Sequence, residues 1–275
     1  MRRYAVLVPA FLLLSLAMHA QTVDELIAKN VNAKGGMAKL RSINSIRVTG
    51  NFEAGGMQAG FVELEKRPNK LRRDVSIQGL TLTQAYDGQS GWQIVPFTGK
   101  KDPEAMGGDD LKNMEEEADI DGPLMDYKQK GHKVELVGKE KIEGTDAYNI
   151  KVTLKNGNVR NIYLDADSFL EIKTTGKVTV RGTEVTFNTS LGDYKKVDGV
   201  MFPFSIEQHQ EGGQGGEQKI TIEKVEFNIP VDDASFKMPA VTATPAPKEK
   251  TEPSPAPAGQ QPPKPDTATK PPLVN

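Results

Sequence analysis

Asp146-Ala-Tyr-Asn-Ile-Lys-Val-Thr-Leu-Lys155, then Asn156-Gly157, then Asn158-Val-Arg-Asn-Ile-Tyr-Leu164, then Asp165-Ala-Asp-Ser168 and Phe169-Leu-Glu-Ile172: the kind of fold shows first in this stretch. Tyr148, Ile150, Val152 and Leu154 alternate with Asn149, Lys151 and Thr153, the period of a strand with one dry and one wet face. Asn-Gly between two such runs predicts a hairpin with a type I′ turn, in which both central residues need positive φ. The returning strand places Ile162 and Leu164 on one face, and the corner at 165–168 starts a third strand. The unit is an antiparallel meander.

The same pattern extends in both directions. Upstream, Ile46, Val48 and Phe52 alternate with Arg47, Thr49 and Asn51, and Gly55-Gly56 turns the chain into 61–65. Leu71, Arg73, Val75 and Ile77 then alternate with Arg72, Asp74 and Ser76, followed by Leu80, Leu82 and Tyr86, the Asp87-Gly88 turn, and 92–97. Downstream come 133–142, 177–180, 183–191, the apolar face of Val200, Phe202, Phe204 and Ile206, and 219–227. These make about eleven strands at hairpin spacing, near the number at which an open sheet must curl.

Helical signals are few. Thr22-Val-Asp-Glu25 is a capping box ahead of Val23, Leu26, Ile27 and Val31, and Gly35-Gly36 should stop that helix before a short restart through Met37 and Leu40. Between 99 and 131 the alternation breaks. Asp102-Pro103-Glu104 has the form of a helix start, Asp109 of a second, and Leu124, Met125 and Tyr127 give one more short apolar face. This predicts one or two broken helices inserted into a sheet, either a crossover that caps the core or a moving lid.

The ends delimit the domain. Residues 1–20 run from Arg2-Arg3 through an apolar 5–18 to Ala20, the layout of a secretory signal peptide cleaved after Ala20. Residues 241–275 are Pro, Ala, Thr, Lys and Glu with almost nothing to bury, a disordered tail. The folded domain is therefore 21–240. With no cysteine, the chain carries neither a disulfide nor a lipidated N-terminal cysteine, which suits a bacterial periplasmic protein. Taking Arg2 and Arg3 from a formal net charge of −2 leaves −4, which argues against a nucleic-acid partner.

Reaction chemistry is hard to find. His132 and His209 stand outside any second ligand cluster, so neither a histidine metal site nor a Ser-His-Asp arrangement is expected. Asp165-x-Asp167 lacks the glycine and the glutamate of a calcium loop, and Gly212-Gly-Gln-Gly-Gly216 lacks the Lys-Ser/Thr of a phosphate loop. No catalytic residue, metal or cofactor is assigned, and the chain is read as a non-enzyme. What remains is geometric. A long apolar sheet face with little helix to cover it leaves a groove unless the helices fill it. Its lining would come from Trp92, Ile94, Phe97, Ile150, Val152, Phe202 and Phe204, with Met114, Leu124 and Met125 from the insertion. Such a groove suits an acyl chain better than a polar substrate.

Thr22-Val-Asp-Glu-Leu-Ile-Ala-Lys29, Gly35-Gly-Met-Ala-Lys-Leu40 and Ile43-Asn-Ser-Ile-Arg-Val-Thr-Gly50 together resemble the opening of LolA-like outer-membrane lipoprotein-sorting proteins. So do 162–172, Asp193-Tyr-Lys-Lys-Val-Asp-Gly-Val-Met-Phe-Pro-Phe204, and the close from 222 to 236. The resemblance covers 22–239 and rests on turn and pattern residues. It implies an α+β, mainly antiparallel fold: an incomplete, half-open β-barrel with helices over its concave face. It also implies a monomeric periplasmic carrier of acylated lipoprotein or lipid cargo, working between an inner-membrane transporter and an outer-membrane acceptor. RseB-like regulators share the fold, so a non-catalytic envelope-interaction module with a filled barrel is the alternative. The family's lid-locking arginine has no assigned position in this sequence.

Overall fold

The computed structural model describes residues 21–99, 101–180, 182–211 and 216–240. The expected signal peptide, the tail from 241 and most of the glycine-rich turn at 212–216 lie outside the described residues. Helix α1 (Val23–Lys34) has the capping box in place: Thr22 Oγ1 accepts from the Glu25 amide at 3.2 Å, and the Thr22 amide donates to Glu25 Oε2 at 2.9 Å. Gly35 ends it at φ 136°, close against the carbonyl of Gly199, and α2 (Met37–Arg41) is the short restart.

The strands are β1 (Ser45–Ala54), β2 (Met57–Lys66), β3 (Lys70–Ile77), β4 (Leu80–Tyr86), β5 (Gly91–Ile94), β6 (Glu104–Ala105), β7 (Lys133–Ile142), β8 (Thr145–Thr153), β9 (Val159–Asp165), β10 (Glu171–Val180), β11 (Thr183–Val197), β12 (Val200–Glu211) and β13 (Glu217–Phe227). Helix α3 (Gly108–Glu117) lies between β6 and β7. Among the described residues these thirteen strands form one antiparallel sheet in the order β6-β5-β4-β3-β2-β1-β13-β12-β11-β10-β9-β8-β7. The first and last strands in sequence pair in the middle. The two outer strands, β6 and β7, are the ones joined by the α3 segment.

Two local expectations change. Residues 102–104 start no helix: Glu104 and Ala105 pair with Gln93 and Trp92 as β6, which is one reason the strands number thirteen rather than about eleven. In the 154–158 turn only Gly157 has positive φ, and its amide donates to Leu154 O at 2.9 Å. The turn is therefore a longer loop with glycine at the left-handed position, not a two-residue type I′ turn.

Helix α3 shows that the sheet curls. Its Met114 and Ala118, just beyond its end, pack with Leu71 and Tyr86 on β3 and β4, while Asn113 Nδ2 donates to Thr179 O on β10 at 3.1 Å. Six strands separate β4 from β10, about 33 Å across a flat sheet at the usual spacing, whereas ten helical residues span about 15 Å. One helix reaches both limbs only if the sheet is bent into a half-barrel. Two glycines on the inner face permit the bend. Gly50 lies opposite Phe61 and Gly176 opposite Phe187, and a Cβ would meet Thr221 O at 2.2 Å or the Phe187 ring at 2.9 Å.

Candidate functional site

Pairing across the sheet sorts every side chain to one face. Leu71 pairs with Tyr86 and Tyr86 with Gly91, on the inner face under α3; Arg72 pairs with Ala85 and Ala85 with Trp92, on the outer face. Along the inner face lie three packed clusters. Helix α1 and Leu124 cover Ile150, Val152, Ile162 and Leu164. Ile43, Ile46, Val48, Val200, Phe204, Ile222 and Val225 form the second cluster, and Leu71 and Tyr86 meet Met106 and Met114 in the third.

Between these clusters the inner face is less fully covered. Phe52, Phe61, Val75, Leu82, Phe187, Leu191 and Ile206 are all half-buried. Charged groups among them show where the remaining space is. Arg73 Nε donates to Glu63 Oε2 at 2.6 Å and its Nη2 to Glu117 Oε2 at 3.0 Å, yet its side chain keeps 32 % of its surface. The surface it keeps lies among the half-buried apolar residues beneath α3. Beside it, burial first and then the charge of Glu63 push the Glu65 carboxyl up to about 8, against the opposing pull of Arg73.

Helix α3 roofs this space and is tied to both limbs. On one side, Glu117 meets Arg73 of β3. On the other, Glu116 accepts from Asn156 and Asn158 of the β8–β9 turn and from Arg160 of β9, and the Gly182 amide donates to Asp109 Oδ2 at 3.1 Å. Asp109 thus secures the far limb instead of capping its own helix, whose N-cap is Gly107. The segment after α3 is fastened by Arg67, which binds Asp121 through both terminal nitrogens at 2.5 and 2.6 Å, and by Lys130 on Asp119 at 2.6 Å. One end of the space is rimmed by apolar residues. Met57, Leu80, Phe97 and Val180, from turns at the same end of the strands, are 36 % exposed or more.

The residues expected to line a groove are dispersed. Ile150 and Val152 are fully buried beneath α1, and Leu124 packs with them, so these three are core. Phe204 is buried and Phe202 half-buried in the second cluster, Met114 belongs to the third, and Met125 lies with Leu124 beside a separate surface cleft of about 360 Å³ against α1. Trp92 and Ile94 are corrected outright. Their register puts them on the outer face, where Trp92 Nε1 donates to Phe236 O at 2.8 Å. Phe97 stays exposed at the rim.

The sequence reading missed Glu63, Glu65, Arg73, Glu116, Glu117 and Arg160. A signal for four of them was present. Arg73 shares a register with Leu71 and Val75, Arg160 with Ile162, and Glu63 and Glu65 with Phe61, so each places a charge on a dry face. Charges in such positions need partners.

No protein-family model matches the sequence, and comparison with curated proteins finds no match. Solved structures do match. The half-barrel is similar to a LolA superfamily protein from Nitrosomonas europaea, at 13 % identity and TM-score 0.54, covering 79 % of this chain and 98 % of that one. It is also similar to a DUF1329 family protein from Desulfovibrio piger, at 15 % identity and TM-score 0.53, covering 78 % of this chain and 97 % of that one. The fold is LolA-like: an open antiparallel sheet with few helices.

Proposed function

We propose that the protein is a non-catalytic periplasmic carrier that takes acyl chains of lipoproteins or lipids into the space beneath α3 and moves them towards the outer membrane. The carrying observation is the half-buried apolar floor beneath α3, formed by Phe52, Phe61, Val75, Leu82, Phe187, Leu191 and Ile206, which the helix does not fully cover. A half-buried apolar floor suits an acyl chain better than a polar ligand, and the exposed Met57, Leu80, Phe97 and Val180 give its rim apolar surface. The likeness to a LolA superfamily protein supports the same reading. Envelope location rests on the leader-like residues 1–20 together with the LolA-like fold.

The test is native mass spectrometry of the full chain purified from a bacterial periplasm, with organic extraction of bound material. Co-purifying acylated lipid is the expected result. Ile206→Glu, a charge on the half-buried floor, should abolish loading while circular dichroism stays β-rich. A bare protein that takes up no added lipid would overturn the reading in favour of a filled barrel acting as an envelope-interaction module.

A further inference from the structure

We propose that Asn156, Asn158 and Arg160 form a receptor for the anionic headgroup, phosphate or carboxylate, of an amphiphile whose chain lies beneath α3, and that Glu116 occupies this receptor in the closed form. The inference rests on the carrier reading and adds to it the class of cargo.

The geometry is that of a built anion site. Both side-chain amides converge on one oxygen of the Glu116 carboxylate, and the Arg160 guanidinium holds the other. Asn156 is pre-aimed: its Oδ1 accepts from the Asn158 amide at 3.0 Å, which turns its Nδ2 toward the carboxylate. The turn itself is pinned by His132, whose Nδ1 accepts from the Lys155 amide at 3.1 Å. Glu116 keeps only 8 % of its side-chain surface, so the charge it presents to Arg160 is little screened by water. Arg160 also retains a donor that Glu116 does not use. Among the described residues its buried Nε has no acceptor, and an anionic headgroup in place of Glu116 can be oriented to take up this donor as well.

Position completes the argument. The receptor stands at the rim end of the strands, and the Arg160 guanidinium lies 5.7 Å from the centre of the Phe187 ring on the apolar floor. A headgroup there leaves its chain directly over Phe187. Charge then discriminates between cargoes. When α3 lifts, Glu116 leaves Arg160 half-enclosed, and a neutral amphiphile cannot replace the lost charge, whereas an anionic one restores it. On the opposite limb Arg73 keeps Glu63 and needs no substitute.

The experiment compares palmitoyl lysophosphatidic acid with monopalmitoylglycerol, which share a chain and differ in headgroup charge, by displacement of the neutral dye Nile red from the full, delipidated chain. The anionic lipid should bind at least tenfold more tightly. Arg160→Gln should reduce that preference to within threefold, chiefly by weakening the anionic lipid, and Glu116→Gln should raise affinity for the anionic lipid by removing its competitor. If Arg160→Gln does not fold, Asn158→Ala should show the same direction with a smaller loss. Equal binding of both lipids in wild type and variants would overturn the receptor and leave the carrier reading intact. Binding of neither would overturn both. Inorganic phosphate should not block the anionic lipid at millimolar concentration; if it does, the site takes free phosphate and the headgroup assignment fails.

Discussion

Arg73 and Arg160 stand on opposite limbs of the curved sheet and are held by consecutive residues of α3, Arg73 by Glu117 and Arg160 by Glu116. Neighbouring helical residues point about 100° apart, so one adjacent pair can reach two walls that face each other. The roof is clasped from both sides by charge, with Met114 and Ala118 supplying the apolar contact between the clasps. Opening the roof breaks these charged clasps and lifts Met114 off Leu71 and Tyr86.

The two clasps should therefore control opening more than folding. Glu117 is 44 % exposed, so its bond to Arg73 is screened, while the Glu116 side chain keeps only 8 % of its surface. Glu117→Gln is expected to lower protection of the 108–117 amides in hydrogen exchange by roughly fivefold, about 1 kcal/mol of local opening. Protection of β8 and β9 should not change. Global loss of protection would mean that α3 is integral to the fold.

Glu65 makes stability fall as pH rises. Its carboxyl is raised to about 8 in the folded protein from an ordinary 4.5, so the unfolded chain gives up this proton first. The contribution is fully present below about 4.5 and is lost between there and about 8. Glu65→Gln should flatten that part of the stability curve and stabilise the protein at pH 8 more than at pH 5, by on the order of 1–2 kcal/mol in denaturant titrations. An unchanged pH slope in the variant would show that another group carries the proton.

What could be read from the sequence was whatever is local. The meander, the capping box at Thr22 and the stop at Gly35 depend on neighbours within a few residues, and the structure has them. The site is non-local. That Glu116 meets Arg160 requires a chain segment crossing from β6 to β7 over the sheet, and no periodicity encodes that crossing. The Trp92 error has the same origin. The hydrophobicity of 92–97 gives a strand but not which face the short β5 turns inward, because Pro230 to Ala240 returns to cover the outer face with Phe236. The charges at Glu63, Arg73 and Arg160 were visible on dry registers; Glu63 and Arg73 pair with each other across β2 and β3, but the partners Glu117 and Glu116 come from the separate α3 segment.

Gly50 should be intolerant of any side chain. A Cβ there would lie 2.2 Å from the backbone carbonyl of Thr221 and 3.0 Å from the Phe61 ring, and the carbonyl cannot move without parting β1 from β13. Gly50→Ala is expected to cost about 3 kcal/mol or more, seen as a shift of the urea midpoint. Gly55→Ala in the open β1–β2 turn meets nothing within 4 Å and should cost only the strain of its φ of 55°, about 1 kcal/mol. Equal costs at the two positions would contradict the tight inner-face packing.

Trp92 is the sole tryptophan, and its place on the outer face gives a spectroscopic test of which face takes cargo. It is 2 % exposed, donates to Phe236 O at 2.8 Å and has the Arg72 guanidinium 5.9 Å from its ring. Its emission should be blue-shifted, as for a buried indole, and should barely change when an acyl chain enters beneath α3. Phe187→Trp in a Trp92→Phe background puts the only indole on the floor instead. The Trp92→Phe change alone leaves the Phe236 carbonyl without its donor and is expected to cost about 1–3 kcal/mol, which the double variant must tolerate to be useful. A chain brominated near its headgroup end should quench the Phe187→Trp variant by more than half and wild type only weakly. Strong quenching of wild type would put the chain against the outer face and reverse the assignment of the two sides of the sheet.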